Sequence, residues 1–269
     1  MSIKDARWMY KTYMSMRSFN RKRRKYLDGA LYSNIFSDSS RVINLSPGEI
    51  LNLHIKTENN IFSKITIFVE KNKDHVHLQN CQRLANILSK YRANTSRSQC
   101  CDRGNMYIVG TGSKANNDIG LYELTKRKKI QSAISKLVQT AENYYRDNGL
   151  GVTVDQIKSN KCHSCHECMN NSFVSSITLS YNYVNASHLD VDDACEGIVT
   201  WTTEDKTKIE GWYFVLPNVS IDGYRGTIIQ LKHGITIKID ARIIVHCSSG
   251  SRRSESHKRY GTYFGCSIK

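Results

Sequence analysis

Residues 233–249 read HGITIKIDARIIVHCSS, and this stretch decides how the second half of the chain is expected to fold. The pair His233-Gly234 is typical of a turn. An alternating β-branched run follows it at 235–240, and a second apolar run at 242–247 contains His246 near its end. Short β-rich runs bounded by turn residues are typical of antiparallel strands. The stretch therefore predicts two consecutive strands, with a histidine near the end of the second.

The same pattern continues on both sides of this stretch. Turn pairs such as Pro217-Asn218 and Asp222-Gly223 separate further β-rich runs. These runs cover residues 173–183, 186–191, 197–203, 211–216, 227–232 and 259–266. Many short strands at this spacing, with no long helical pattern among them, are typical of a β-sandwich or a jelly roll.

The first 170 residues have a mixed pattern, so the expected fold class of the whole chain is α+β. Their periodicity predicts helices at 5–16, 75–91 and 121–147 and a strand at 61–70. Residues 104–118 are rich in Gly, Asn and Ser and are expected to form a loop. The predicted division is a mixed support and substrate-binding region at 1–170 and a β-rich catalytic core at 171–269.

The charge of the chain points to a polyanionic partner. Lys and Arg number 39 against 24 Asp and Glu, which gives a net charge of +15. The cations are bunched in RKRRK at 21–25 and KRKK at 126–129, and such runs favour contact with nucleic acid phosphates. The first run could equally be a nuclear localisation signal. Residues 1–10 lack an apolar secretory core and no apolar run is long enough to span a bilayer, so an intracellular, nuclear protein without a membrane partner is expected.

A possible metal site lies in the β-rich half. His188 and Asp190 are two residues apart in a predicted strand, so their side chains are expected on the same face. His246 follows in a later predicted strand. Two imidazoles and a carboxylate on one side of a metal leave positions open for other ligands, an arrangement that suits non-haem Fe(II). His-x-Asp alone is a weak signal, and its weight here comes from the surrounding strands and the second histidine.

Arg259 is the candidate partner for an acidic cosubstrate. It opens the run RYGTYFG, in which alternation places Arg259, Gly261, Tyr263 and Gly265 on one face. A guanidinium matches a carboxylate in a bidentate way, and the glycines leave room for a small ligand. The rivals Arg252 and Arg253 lie in a Ser-rich segment, and a strand positions a ligand better than a loop does.

Residues 173–269 resemble the double-stranded β-helix core of the 2-oxoglutarate/Fe(II)-dependent dioxygenase superfamily. The resemblance is carried by SYNYVNASHLDVDD, GWYFVLPN, HGITIKIDARIIVHCSS and RYGTYFG. The last two stretches resemble the Tet/JBP-like oxygenases, and the Arg-Tyr start of the final run is also similar to the AlkB-like demethylases. The resemblance implies a jelly-roll or cupin-like core, Fe(II) and 2-oxoglutarate as cofactors, and a hydroxylation that releases succinate and CO2. It covers about the last third of the chain.

The resemblance also implies a substrate. Tet/JBP-like enzymes oxidise the methyl group of 5-methylcytosine or thymine in DNA, and some relatives place a base-contacting residue at the position of Asp193. A flipped base needs aromatic neighbours, which Trp201 or Trp212 could supply, although strand aromatics usually belong to the core. Two alternatives stay open: a protein or small-molecule hydroxylase of the same superfamily, and a catalytically inactive module that binds nucleic acid. The sequence does not indicate the oligomeric state.

A second cluster, CHSCHEC at 162–168, could bind zinc. Cys162, Cys165 and Cys168 supply three thiols within seven residues. A fourth ligand would have to come from a nearby histidine or from a distant cysteine such as Cys81 or Cys101. A reduced loop without a metal is the alternative, because a second Cys-x2-Cys pair is not evident.

Overall fold

The computed structural model describes residues 42–56, 62–93, 101–113, 119–161, 169, 172–185, 188–190, 193–204, 212–219, 226–250 and 258–266. The strands are β1 (Val42–Ile43), β2 (Ile50–Lys56), β3 (Phe62–Val69), β4 (Cys101–Ser113), β5 (Ile119–Leu121), β6 (Ser176–Asn185), β7 (Gly197–Thr203), β8 (Trp212–Leu216), β9 (Thr227–Gln230), β10 (Ile235–Ile239), β11 (Cys247–Gly250) and β12 (Arg259–Gly265). The helices are α1 (Val76–Leu88), α2 (Lys128–Asp147) and α3 (Gly151–Ser159), with a 3-10 turn at Glu123–Lys126. None of the helices in these ranges has the length and apolar character needed to cross a membrane.

Two sheets form the body of the protein. The larger has the strand order β2-β3-β10-β7-β12-β6-β4-β5, and the smaller has the order β1-β9-β8-β11. All their pairings are antiparallel except that of β1 with β9. One apolar core includes Ile67 and Ile237 of the larger sheet and Trp212 and Phe214 of the smaller. This confirms the predicted double-stranded β-helix core within an α+β chain.

A second core lies where the helices cover the larger sheet. Leu84 of α1 and Leu137 of α2 pack in one cluster with Ile177 of β6 and Phe264 of β12. Successive side chains of a strand point to opposite faces. Phe264 therefore faces the helices, while its neighbours Tyr263 and Gly265 line a cavity on the other face of the sheet. The helices thus pack against the strands that line the cavity, and they lie on the opposite face of the sheet from it.

Strands from both sides of residue 170 share the larger sheet. β2 to β5 come from the first half of the chain and β6, β7, β10 and β12 from the second. The helix predicted at 75–91 is confirmed as α1 and the strand predicted at 61–70 as β3, while the helix predicted at 121–147 is confirmed only from Lys128, where α2 begins. The boundary at residue 170, and substrate binding by the first region, stay predictions. The helix predicted at 5–16 lies outside the described residues.

The loop predicted at 104–118 is wrong for residues 104–113, because β4 runs through Ser113 and pairs along β6, and residues 114–118 lie outside the described residues. The pairing register shifts on both sides of Arg103, and Gly104 there has φ +87°. A Cβ at Gly104 would lie 2.3 Å from the backbone oxygen of Asn182. This glycine is therefore needed at an irregularity inside a strand, where two backbones approach closely.

The strand predicted at 242–247 is also wrong. The Asp240 carboxylate accepts from the backbone N–H of Arg242 at 3.2 Å, and the Asp240 carbonyl accepts from the N–H of Ile244 at 3.0 Å. These bonds make residues 241–244 a turn, and β11 begins only at Cys247.

The run predicted at 186–191 is reduced, among its described residues, to an isolated bridge at His188. The periodicity also gave no indication of β2 or α3.

Candidate metal centre

The two histidines of the predicted triad lie directly opposite each other. The backbone N–H of His188 donates to the oxygen of His246 at 3.0 Å, and the N–H of His246 donates to the oxygen of His188 at 3.1 Å. Such an antiparallel bridge brings the two side chains to the same side of the backbone pair. Their ring centroids are 4.4 Å apart. The pairing therefore brings together two imidazoles that are 58 positions apart in the sequence.

Asp190 completes the group. Its backbone N–H donates to the oxygen of Ala241 at 2.9 Å, which fixes it against the segment that leads to His246. Its carboxylate oxygens lie 3.6 Å from Nε2 of His188 and 3.5 Å from Nε2 of His246. The three candidate ligand atoms all lie within 4.8 Å of one another. Across the described parts of the chain, no other group of three His, Cys, Asp or Glu side chains converges in this way.

The donor set fits a divalent metal ion. Nδ1 of His246 lies 3.0 Å from the backbone oxygen of Ile244, and a carbonyl can only accept, so Nδ1 carries the proton. Nε2 is then the lone-pair nitrogen, and it faces Asp190. Ligand atoms about 2.1 Å from an ion and at right angles to each other are roughly 3 Å apart. The two separations between the Asp190 carboxylate and the imidazoles, 3.5–3.6 Å, need only a small contraction to reach that spacing, and the three ligand atoms lie within 4.8 Å of one another.

Asn185 is a contributor that the sequence reasoning missed. Its Oδ1 accepts from the backbone N–H of Ser248 at 2.7 Å, which ties the end of β6 to β11. Its Nδ2 lies 3.2 Å from Nδ1 of His188. The side chain therefore joins one candidate ligand to the strand that follows the other. An Asn three residues before a candidate His is the only signal in the sequence, and it is too common to stand alone.

We expect Asn185→Ala to weaken metal binding by roughly 10-fold, because it removes the bond that ties β6, just before His188, to β11, just after His246. Titration of the apoprotein with Co(II), followed by its visible absorption, measures the dissociation constant without any turnover. Ser180→Ala is the control, because Ser180 lines the same cavity without a hydrogen bond to the triad among the described residues. An Asn185→Ala protein with the wild-type constant would contradict this role.

The triad opens onto a cavity of about 140 Å3. Small and polar side chains of β6 and β12 form part of its wall, namely Ser176, Thr178, Ser180, Gly261, Tyr263 and Gly265. A Cβ at Gly261 would lie 2.6 Å from Oγ of Ser180 and 3.0 Å from Nε1 of Trp201. Gly261 therefore lets Ser180 and Trp201 pack closely against β12 in the cavity wall, and room for a ligand beside the glycines stays a prediction. Phe214 stacks on the ring of His246 with centroids 5.6 Å apart, which gives the metal side an apolar wall.

Arg259 lies behind this wall rather than in it. Its side chain is 0% exposed, and its guanidinium carbon lies 4.1 Å from the ring centroid of Trp212. Nη2 donates to the backbone oxygen of Tyr183, whose residue lines the cavity, whereas Arg259 is not among the lining residues. The guanidinium is thus separated from the cavity by Tyr183, to which it is hydrogen-bonded. Its rivals Arg252 and Arg253 lie outside the described residues.

Asp193 lies in the cavity wall and is 6% exposed. The hydroxyl of Tyr263 donates to its carboxylate, and its backbone N–H donates to the oxygen of Asp190 at 3.1 Å. Burial, and then the negative charge of Asp193, hold the pKa of Tyr263 well above its ordinary value. Tyr263 therefore stays a protonated donor, and Asp193 is held beside the triad.

Of the other predicted site residues, Cys162, Cys165 and Cys168 lie outside the described residues. Cys81, considered as a fourth zinc ligand, is fully buried with its sulfur 3.6 Å from Nε2 of His77. Burial raises the pKa of the Cys81 thiol to about 12. Zinc binds the thiolate, so this environment disfavours Cys81 as a ligand.

The fold is similar to that of NgTET1 in complex with 5mC DNA, with a TM-score of 0.60 and 10% identity over 99% of this chain and 92% of that one. A prolyl-4-hydroxylase from Pseudomonas putida gives a TM-score of 0.45 at 7% identity over 76% of this chain and 92% of that one. No protein-family model matches the sequence, and no curated protein matches it significantly. The chain thus shares a double-stranded β-helix fold with NgTET1, and the likeness covers both halves of the chain.

Proposed function

We propose that this protein is an Fe(II)- and 2-oxoglutarate-dependent dioxygenase in which His188, Asp190 and His246 hold the iron. The observation that carries the proposal is the convergence of these three side chains at a cavity between the sheets of a double-stranded β-helix. The two-imidazole, one-carboxylate donor set suits non-haem Fe(II) and leaves positions open on the cavity side. When bound, iron supplies with 2-oxoglutarate and O2 the oxidant for C–H hydroxylation, and succinate and CO2 are released.

The residues of the chain then bind, orient and exclude water. The Nδ1–H of His246 bonded to Ile244 fixes the ring so that Nε2 faces the metal position, and Asn185 ties the end of β6, just before His188, to β11. Phe214 covers one side of the triad. We assign Arg259 to the far carboxylate of 2-oxoglutarate, because its guanidinium is buried next to the cavity wall and charge-assisted bonds are strong where water is excluded.

For the substrate we propose a methylated pyrimidine in DNA, either 5-methylcytosine or thymine. Support comes from the fold shared with NgTET1, whose structure is a complex with 5mC DNA, and from the net charge of +15. Asp193 is proposed to contact the flipped base, since it lies in the cavity wall and Tyr263 fixes its carboxylate. A nuclear location and a zinc site at 162–168 stay predictions, because residues 21–25 and 162–168 lie outside the described residues.

We expect the protein, incubated with Fe(II), ascorbate, 2-oxoglutarate and duplex DNA containing 5-methylcytosine, to produce hydroxymethylated cytosine. Digestion of the DNA and mass spectrometry of the nucleosides measure the product, and a parallel assay measures succinate. Unmethylated DNA of the same sequence is the control. Succinate formation without an oxidised base, on either 5-methylcytosine or thymine, would overturn the substrate proposal and leave the dioxygenase standing. Absence of iron-dependent succinate under all conditions would instead favour an inactive binding module.

A further inference from the structure

A groove on the helical side of the larger sheet is lined by residues that the proposed reaction does not use. It has a volume of about 400 Å3 and runs between α1 and α2. The two helices are antiparallel, since Nδ2 of Asn80 donates to Lys136 while Ile87 and Lys129 line the same groove. Three of the lining side chains are cations, Arg83, Lys90 and Lys129, and three others are carboxamides. No carboxylate lines the groove.

The parts of the two helices that border the groove carry positive charge only. Residues 75–93 and 124–141 contain no Asp or Glu. Arg83 lies on α1 and Lys90 lies two residues past its end, and Lys129 and Lys136 are seven residues apart on α2. Seven residues of α2 are two helical turns, or about 10 Å along the axis. Packed helices lie about 8–10 Å apart, and Arg83, Lys90 and Lys129 line the same groove, so the four cations are expected to form one cluster on this surface.

These cations are available to an external partner. Arg83, Lys90, Lys129 and Lys136 are all exposed. Within the described ranges none of them forms an ion pair, whereas Lys126, just before α2, is bound to Glu123 at 2.6 Å. Unpaired cations at this density repel one another, and an anionic ligand would relieve the repulsion. An array of donors without an acidic neighbour is the surface expected for phosphate groups.

The groove is held in place by the sheet beneath it. Nε2 of Gln82 donates to the backbone oxygen of Thr203 at the end of β7, at 2.7 Å. Oδ1 of Asn86 accepts from the hydroxyl of Tyr260 on β12, at 3.0 Å. Two carboxamides of α1 therefore anchor the helix to the strands whose other face lines the cavity. The groove and the cavity are thus on opposite faces of the same sheet.

We propose that the α1–α2 groove is a second nucleic-acid contact, which binds the phosphodiester backbone of a strand that is not in the cavity. Each strand of B-form DNA carries one phosphate per about 3.4 Å of helix axis, so cations about 10 Å apart can each meet a phosphate of the same strand. The contact carries no base information, because ammonium and guanidinium groups on phosphates read only the backbone. It raises the affinity of any DNA equally. This proposal does not depend on the reaction at the metal centre.

The test measures binding of unmethylated duplex DNA to metal-free protein by fluorescence anisotropy across a salt series. The groove variant is Arg83→Gln/Lys90→Gln/Lys129→Gln. The matched control is Lys64→Gln/Lys71→Gln/Lys73→Gln, which removes the same charge from exposed residues of β3 and the segment after it. Each lost phosphate contact lowers the slope of log affinity against log salt by about 0.9. We expect the groove variant to lose about 2 to 3 units of slope and the control to lose less than 1.

Equal losses in the two variants would overturn the proposal, because binding would then follow net charge rather than the groove. Groove-dependent binding to phosphatidylserine vesicles, with DNA binding unchanged, would overturn it in favour of a membrane surface. The thermal midpoint of each variant is measured alongside, and the exposed positions are expected to leave it within a few degrees of the wild type. Because the assay contains neither metal nor 2-oxoglutarate, its outcome is separate from that of the dioxygenase proposal.

Discussion

His246→Ala is expected to abolish Fe(II) binding and iron-dependent succinate formation together. Nε2 of His246 is one of three candidate ligand atoms, and the described residues offer no fourth His, Cys, Asp or Glu to the group. A facial triad has no spare protein ligand, so loss of one member leaves the ion with two. His188→Ala and Asp190→Ala are expected to have the same effect, since each removes one ligand from the same group.

Metal-dependent thermal stabilisation separates a lost ligand from a lost fold. A ligand at 100 times its dissociation constant stabilises the folded state by about 2.7 kcal/mol, so Fe(II) or Mn(II) should raise the wild-type melting temperature by several degrees. The triad variants should fold without metal and show no such rise. His54→Ala is the control, because His54 is an exposed histidine of β2. A triad variant with wild-type succinate formation would remove that residue from the assignment.

Arg259→Gln is expected to raise the KM for 2-oxoglutarate by roughly 10- to 150-fold while the metal still binds. Loss of a hydrogen bond to a charged group costs about 1.5–3 kcal/mol, and about 1.4 kcal/mol corresponds to tenfold. Because the guanidinium is buried beside Trp212, water cannot easily take its place as the partner of the carboxylate, so the loss is costly. Gln keeps the bulk and one donor group of the side chain and removes the charge, so the loss reports mainly on carboxylate binding.

A rise in KM at constant metal affinity distinguishes an anchor from a structural residue. Arg146→Gln is the control, since Arg146 is a partly exposed arginine of α2 whose partners are Glu142 and Asp155. Should Arg252→Gln or Arg253→Gln raise the KM more than Arg259→Gln does, the anchor is in the segment after β11 and Arg259 is structural. Arg259 is also structural, and not the anchor, if Arg259→Gln lowers the melting temperature and leaves the KM for 2-oxoglutarate unchanged.

The sequence was most informative where local alternation matched the final packing. β12 shows this well, because the face predicted for Gly261 and Tyr263 is the face that lines the cavity. The convergence of His188 and His246 was expected from their residue types, although residues 242–247 do not form the predicted strand. Residues 241–244 instead form a turn closed by Asp240, which leads the chain to His246. The backbone bridge between His188 and His246 still brings the two histidines together.

Prediction from the sequence failed where the role of a residue depends on a contact with a residue far away in the chain. Gly104 looked like a loop residue, but β4 passes it with an irregular pairing to β6. Asn185 looked ordinary because its contacts to His188 and to the N–H of Ser248 depend on how β6 meets β11. The orientation of Arg259 toward Trp212 likewise depends on the smaller sheet. Pairings across tens of residues cannot be read from local periodicity.

The central claim is that one cavity holds a metal and a 2-oxo acid. The most direct test is a crystal structure of the protein soaked with Mn(II) and N-oxalylglycine, with anomalous diffraction recorded to locate the metal. The account predicts one anomalous peak within bonding distance of His188, Asp190 and His246, with N-oxalylglycine bound to the same ion and its far carboxylate directed toward Arg259. A crystal with manganese bound elsewhere and these three side chains uncoordinated would contradict it.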